Sequence, residues 1–271
     1  MTRLLILRLS AWLALSGCLL APAWSFSPEG YPGSTWGNGT RDLNGFEGYG
    51  TQGKVHQSIQ WLTLPGAITA KTFAAYRWRI RTQNRNFYDA RGPAVGVEFT
   101  KSFVDFGADF SWQRFPGLNR TSEDFQLFVT WYKRVNLLEK SSQANIFGLP
   151  ILGLPLSTWG RLSHDLNNIE GDGAQGFVAQ GVEWFRMPGD IVFRTLASYR
   201  WRFRSENRQY YNTHGPAVGV ELGRKTVDVG VEFIWRRYPE LPRSSRDFQL
   251  YLTWYFDWDL KNLASRTSPN P

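Results

Sequence analysis

Two arginine triads carry the clearest chemistry in the chain. Arg77, Arg79 and Arg81 alternate with Tyr76, Trp78 and Ile80, and Arg200, Arg202 and Arg204 alternate with Tyr199, Trp201 and Phe203. A guanidinium is a permanent cation with five donors in a planar fork, matched to carboxylates and other oxyanions. Carboxylates recur with the same alternation: Glu98, Asp105 and Asp109, then Glu221, Asp228 and Glu232. On one face of neighbouring strands, such groups either close into an ion-pair network or line a wet passage that attracts anions or acidic sugars. Asn84-Arg85 with Tyr88, and Asn207-Arg208 with Tyr211, extend the triads toward loops. They read as exposed rim residues that anchor the wall, with contact to carbohydrate or protein as the alternative.

Catalytic patterns are missing. The histidines are His56, His164 and His214, at spacings that fit no metal site, and there is no HExxH, no G-x-S-x-G and no phosphate-cradling glycine loop. His56 and Ser58 share a strand face, but the matching positions Ala179 and Gly181 repeat none of that chemistry. No enzyme activity, cofactor or metal is expected. Asn38-Gly39-Thr40 and Asn119-Arg120-Thr121 fit a glycan-acceptor pattern and are read as loop residues.

The triads belong to a long repeat. Tyr76 to Phe99 and Tyr199 to Leu222 share 15 of 24 positions, and the correspondence extends without a gap at an offset of 123 residues. Ser34-Thr35-Trp36-Gly37 returns at Ser157-Thr158-Trp159-Gly160, Pro65-Gly66 at Pro188-Gly189, and Asp124-Phe125-Gln126 at Asp247-Phe248-Gln249. A unit of this length is a small domain present twice or half of one closed structure.

The elements that hold these residues read as strands of period two. Val104, Phe106, Ala108, Phe110 and Trp112 oppose Asp105, Gly107, Asp109, Ser111 and Gln113. Val227, Val229, Val231, Phe233 and Trp235 oppose Asp228, Gly230, Glu232, Ile234 and Arg236. At least five strands per repeat follow, and the glycine-rich stretch Gly37 to Gly53 leaves room for a sixth, so the total is ten to twelve. Two environments suit such ribbons. In water the aromatic faces form the core of a sandwich; in an outer membrane they meet lipid and the polar faces line a barrel. Trp61, Trp112 and Trp131 fall near run ends, as interfacial girdles do, and the runs suit tilted membrane crossings.

The chain has 271 residues, 16% of them aromatic, a formal charge of +8 and one cysteine, which excludes an intrachain disulfide. Arg3 and Arg8 precede an apolar run that ends in Ala21 and Ala23, so residues 1–23 read as an export signal cut after Ala23. Leu15-Ser16-Gly17-Cys18 offers the competing reading of lipidation at Cys18. Cleavage after Ala23 removes two of the 31 basic residues against 23 acidic ones, leaving +6. Nucleic acid is not an expected partner for an exported chain with its basic residues strung along strands.

These exported, repeated, aromatic-girdled runs resemble the bacterial outer-membrane β-barrel class. The resemblance implies an all-β, antiparallel transmembrane barrel of two duplicated halves: residues 24–138, a connecting segment 139–156, and residues 157–271 including a polar tail. Many chains of the class end on an aromatic residue, whereas a polar stretch follows Trp258 here. The implied function is an outer-membrane channel or export barrel for small or polymeric, anionic solutes. The alternatives are a non-conducting structural or docking barrel for an envelope or exopolysaccharide assembly, and a soluble exported tandem β-domain binding protein. Outer-membrane lipid, an anionic solute or polysaccharide, and an envelope protein are the expected partners.

Overall fold

The computed structural model describes residues 32–44, 48–136, 145–146, 149–150, 155–166 and 170–259. The expected export signal, the lipidation alternative at Cys18 and the polar tail lie outside these residues, as does most of the 139–156 segment. Among the described residues, twelve antiparallel strands close into one barrel. They are β1 (Pro32–Asp42), β2 (Gly50–Leu64), β3 (Ile68–Arg81), β4 (Ala90–Lys101), β5 (Val104–Phe115), β6 (Arg120–Asn136), β9 (Pro155–Leu166), β10 (Gly173–Met187), β11 (Ile191–Arg204), β12 (Thr213–Arg224), β13 (Val227–Tyr238) and β14 (Arg243–Asp259). A two-residue pair, β7 (Asn145–Ile146) with β8 (Leu149–Pro150), forms a separate ribbon in the 139–156 segment.

Within 32–136 and within 155–259 each strand pairs with its neighbours in sequence. Two seams complete the ring: β6 with β9, and β1 with β14. The seams share a register, since Asp42 faces Gln249 as Asp165 faces Gln126. Closure satisfies the backbone groups that an open sheet would leave at its edges. Strand bounds follow the sequence offset: β3 opens at Ile68 and β11 at Ile191, and register shifts fall at Gln60/Leu62 and Glu183/Phe185. The glycine-rich stretch contains β1 and the start of β2, which brings the count to twelve. Asn38 to Thr40 therefore lie inside a strand rather than in the loop expected of them.

Strand ends define two rims. Pro32, Asp259 and the short turns at residues 65–67, 102–103, 188–190 and 225–226 mark the terminal end. Gly66 and Gly189 adopt φ of 78° and 79° there, a backbone that glycine takes without steric cost. The connections after β1, β3, β5, β9, β11 and β13 mark the loop end.

Burial alternates along the strands other than β1 and settles the medium. Tyr76 and Tyr199 are 46% and 44% exposed, whereas Arg81 and Arg204 are 2% and 5% exposed. Val95, Phe106, Leu127, Val220, Val229, Leu250 and similar residues continue the apolar outer face. That is the reverse of a water-soluble sandwich. Each such side chain forgoes about 1.5–3 kcal/mol if it stays in water, so the wall calls for hydrocarbon. Exposed Trp61 and Trp112 sit toward opposite ends of the wall, at the levels of the two interfaces. A closed ring, apolar outside and charged inside, is the construction of a bacterial outer-membrane barrel.

Candidate functional site

Each rung of the arginine triads has its own task. The lowest rung faces carboxylates in mid-barrel: Arg77 pairs with Asp109 on β5, and Arg200 pairs with Glu232 on β13. Arg200 also donates to Gln249 Oε1 at 2.9 Å. The highest rung is almost fully buried. Arg81 pairs with Asp42 and Arg204 with Asp165, and in each case a glutamine on the adjoining seam strand (Gln249 or Gln126) donates to the same carboxylate. Buried pairs of this kind persist because further hydrogen bonds satisfy the remaining lone pairs.

The middle rung reaches out of the wall. Between β3 and β4, α1 (Arg85–Tyr88) is one helical turn; between β11 and β12, α2 (Arg208–Tyr211) is its counterpart. Asn84 and Asn207 precede them with φ of 49° and 46°, a left-handed bend that redirects the chain and that asparagine tolerates. Arg79 Nε donates to the Tyr88 carbonyl at 2.5 Å, and Arg202 Nε to the Tyr211 carbonyl at 2.8 Å. These bonds satisfy carbonyls at the ends of the turns and hold both turns inward.

Because β3 and β11 stand on opposite sides of the ring, the two turns meet over the loop-end mouth. Tyr88 Oη donates to the Tyr210 carbonyl at 2.7 Å, and Tyr211 Oη donates to the Phe87 carbonyl at 2.8 Å. Phe87 and Tyr210 stack with centroids 4.1 Å apart. Tyr88 and Tyr211 are fully buried, which corrects the expectation of exposed rim aromatics: they face each other across the barrel instead of facing solvent. Burial raises the Tyr211 phenol pKa, which keeps it a donor.

Glu170, in the connection before β10, sits beneath this closure. It accepts from Arg79 and, at 3.2 Å, from Arg204 Nε. Burial pushes its carboxyl up, but Arg79, Arg202 and Arg204 outweigh that effect and hold it at about 2. A polar cavity of about 270 Å³ lies in the same region, and its lining includes Lys54, Arg77, Arg79 and Arg204 against Asp165 and Glu170. Asn38, Gln52, Gln113, Gln126 and Gln175 add carboxamides.

The other anticipated carboxylates gather toward the terminal end. Glu98 accepts from Lys71 at 3.4 Å, and Asp105 accepts from Thr100 at 2.5 Å and Thr130 at 3.2 Å. Glu221 and Asp228 share Arg194 Nη1, at 2.6 and 2.9 Å, and Tyr251 Oη donates to Glu221 at 2.9 Å. Sequence reading missed Lys71, Arg161, Arg194, Glu183, Asp42, Asp165 and Glu170. The strand residues among them stand on the inward parity of their strands, which was the available signal; Glu170 lies in a connection and had none. His56 is packed between Trp36 and Phe73, with centroids at 4.8 and 4.4 Å, while Ser58 hydrogen-bonds Ser34 at 2.9 Å. Histidine and serine therefore have separate surroundings.

No protein-family model matches the chain, and no curated protein sequence matches it. Among solved structures it is similar to an outer membrane channel from Pseudomonas putida F1, with 8% identity, 88% of this chain and 100% of that one covered, and a TM-score of 0.47. It is also similar to the beta domain of the Bordetella autotransporter Brka, with 10% identity, coverage of 84% and 98%, and a TM-score of 0.43. A bacterial polysaccharide outer membrane secretin gives 10% identity, coverage of 83% and 98%, and a TM-score of 0.40. At this level the likenesses carry no argument about solute or mechanism, which rest on this chain's own residues.

Proposed function

We propose that this outer-membrane barrel is a gated channel for small anionic solutes, assembled from two fused half-barrels of six strands each. The observation that carries this reading is the cation-rich cavity directly beneath a mouth spanned by two turns. Its lining puts Lys54, Arg77, Arg79 and Arg204 beside Asp165 and Glu170, with Arg77 also paired to Asp109, and its carboxamides suit a hydroxylated or carboxylated solute. The inward residues of the anticipated set, Arg77, Arg79, Arg81, Arg200, Arg202 and Arg204 with Glu98, Asp105, Asp109, Glu221, Asp228 and Glu232, line the path on this reading. Four terminal-end turns of two or three residues support an outward-facing closed mouth, while the longest connection, residues 137–154, also joins strands at the terminal end. The equal register of the two seams supports the fused-half origin.

A second reading has its own support. The buried pairs Arg81–Asp42 and Arg204–Asp165 knit the interior together, as a non-conducting docking barrel for an envelope assembly requires. Planar-bilayer recording separates the two. The channel reading predicts a small conductance whose reversal potential under a salt gradient favours chloride over potassium. A barrel that stays silent even after the Tyr88 and Tyr211 hydroxyls are removed is a docking barrel.

A further inference from the structure

We infer that the outer wall binds the phosphorylated headgroup of an outer-leaflet lipid at the loop end of β12–β14, with a related site on β4–β5. The inference rests on the membrane-spanning barrel and on the outward-facing loop end proposed above, and not on conduction.

On β12 and β13 the ladder pairs His214 with Arg237, resumes at Ala217 with Ile234, and leaves Gly215 and Pro216 unpaired. Proline brings no N–H to the ladder. Gly215 lies so close to the Trp235 carbonyl oxygen that a Cβ there would overlap it. A depression of about 830 Å³ results, with Pro216, Trp235, Pro239 and Leu241 on its apolar side and His214, Arg237 and Arg243 on its polar side. Tyr199 Oη and His214 Nδ1 are 2.7 Å apart, which fixes the imidazole at the edge of the depression. Glu240 is the carboxylate in the lining, and Arg208 already engages it at 2.9 Å.

Arg237 and Arg246 are exposed on this outer face, Arg246 in register with Trp235, and neither has an ion-pair partner among the described residues. Cations next to an interfacial tryptophan stand at headgroup depth, where phosphates are the available anions. The opposite side of the barrel repeats part of the arrangement, with Glu123 rather than an arginine in register with Trp112. Arg91 faces Arg114 across β4–β5, Gly92 and Pro93 are unpaired, and a Cβ on Gly92 would overlap the Trp112 carbonyl oxygen. Two arginines directly opposed on a strand pair repel each other. A phosphate between them turns that repulsion into charge-assisted hydrogen bonding.

Native mass spectrometry of the full barrel in detergent tests the assignment, with lipid A carrying two phosphates, the same lipid with its phosphates removed, and inorganic phosphate as separate probes. The intact chain should retain the phosphorylated lipid in preference to the dephosphorylated one, and millimolar phosphate should not displace it. Arg237→Gln with Arg246→Gln should weaken retention roughly tenfold or more, and Arg91→Gln with Arg114→Gln should weaken it further. Arg224→Gln, at the terminal end, should leave it unchanged. Heat-modifiable migration on gels establishes that each variant is folded. Equal retention of the dephosphorylated lipid, displacement by inorganic phosphate, or unchanged retention in the folded arginine variants would overturn the assignment.

Discussion

The closed mouth makes the sharpest prediction. Tyr88→Phe and Tyr211→Phe each delete one hydroxyl and keep the ring that packs in the closure. Each wild-type hydroxyl donates one bond across the barrel, at 2.7 and 2.8 Å. A hydrogen bond of this kind contributes about 1 kcal/mol net, so the double variant shifts the closed-to-open balance by about 2 kcal/mol, or roughly thirtyfold in population. The stacked Phe87–Tyr210 pair and the Arg79 and Arg202 bonds to the turns remain, so closure weakens without vanishing. The assay is single-channel recording of open probability in the wild type, both single variants and the double variant. Each single variant should raise open probability severalfold, and the double variant about as much as the two combined. The barrel itself should keep its heat-modifiable migration. Unchanged open probability in a folded double variant would refute the idea that these turns form the gate.

Three other outcomes follow from the same geometry. Arg204→Gln strips Asp165 and Glu170 of a buried cation and should cost roughly 3–5 kcal/mol, read as a lower midpoint for loss of the compact gel form. Glu170 has its folded pKa held at about 2, below the usual 4.5, so its contribution is fully present above about pH 4.5 and disappears as pH falls through about 2. Open probability should therefore stay flat from neutral pH down to about 4.5 and climb toward pH 2, and Glu170→Gln should flatten that climb. Gly92→Ala should impair assembly, by about 3 kcal/mol or more, because its Cβ would overlap the Trp112 carbonyl oxygen, whereas Gly39→Ala meets nothing within 4 Å and should be silent in the same gel assay.

Strand alternation was legible because lipid and charge demand opposite side chains on the two faces. Tyr76, Trp78 and Ile80 against Arg77, Arg79 and Arg81 leave no other period. β1 was harder, since glycine has low strand propensity and the run PGSTWGNGTRD offers no apolar series. The structure supplies the reason for its glycines. Gly33 and Gly37 lie in register with Trp258 and Trp254 and carry those indoles where side chains would stand, and Gly160 does the same for Trp131. That complementarity lies between strands, and β1 and β14 are at opposite ends of the described chain, so no local window contains it. The mouth was hidden for the same reason. Tyr88 and Tyr210 come together only because closure sets β3 and β11 on opposite sides of one ring. Periodicity assigns a residue to a face of a strand; it carries no information about a turn that leaves the wall and crosses the opening.

The most direct test of the membrane barrel is fluorescence from a label placed at each position from Ala74 to Arg81 in turn, with the chain reconstituted in brominated lipid. Labels at positions 74, 76, 78 and 80 should be strongly quenched by the lipid, and labels at 75, 77, 79 and 81 should escape it. Quenching without that alternation, or quenching strongest at the arginine positions, would contradict a wall whose aromatic face meets hydrocarbon and whose guanidinium groups point inward.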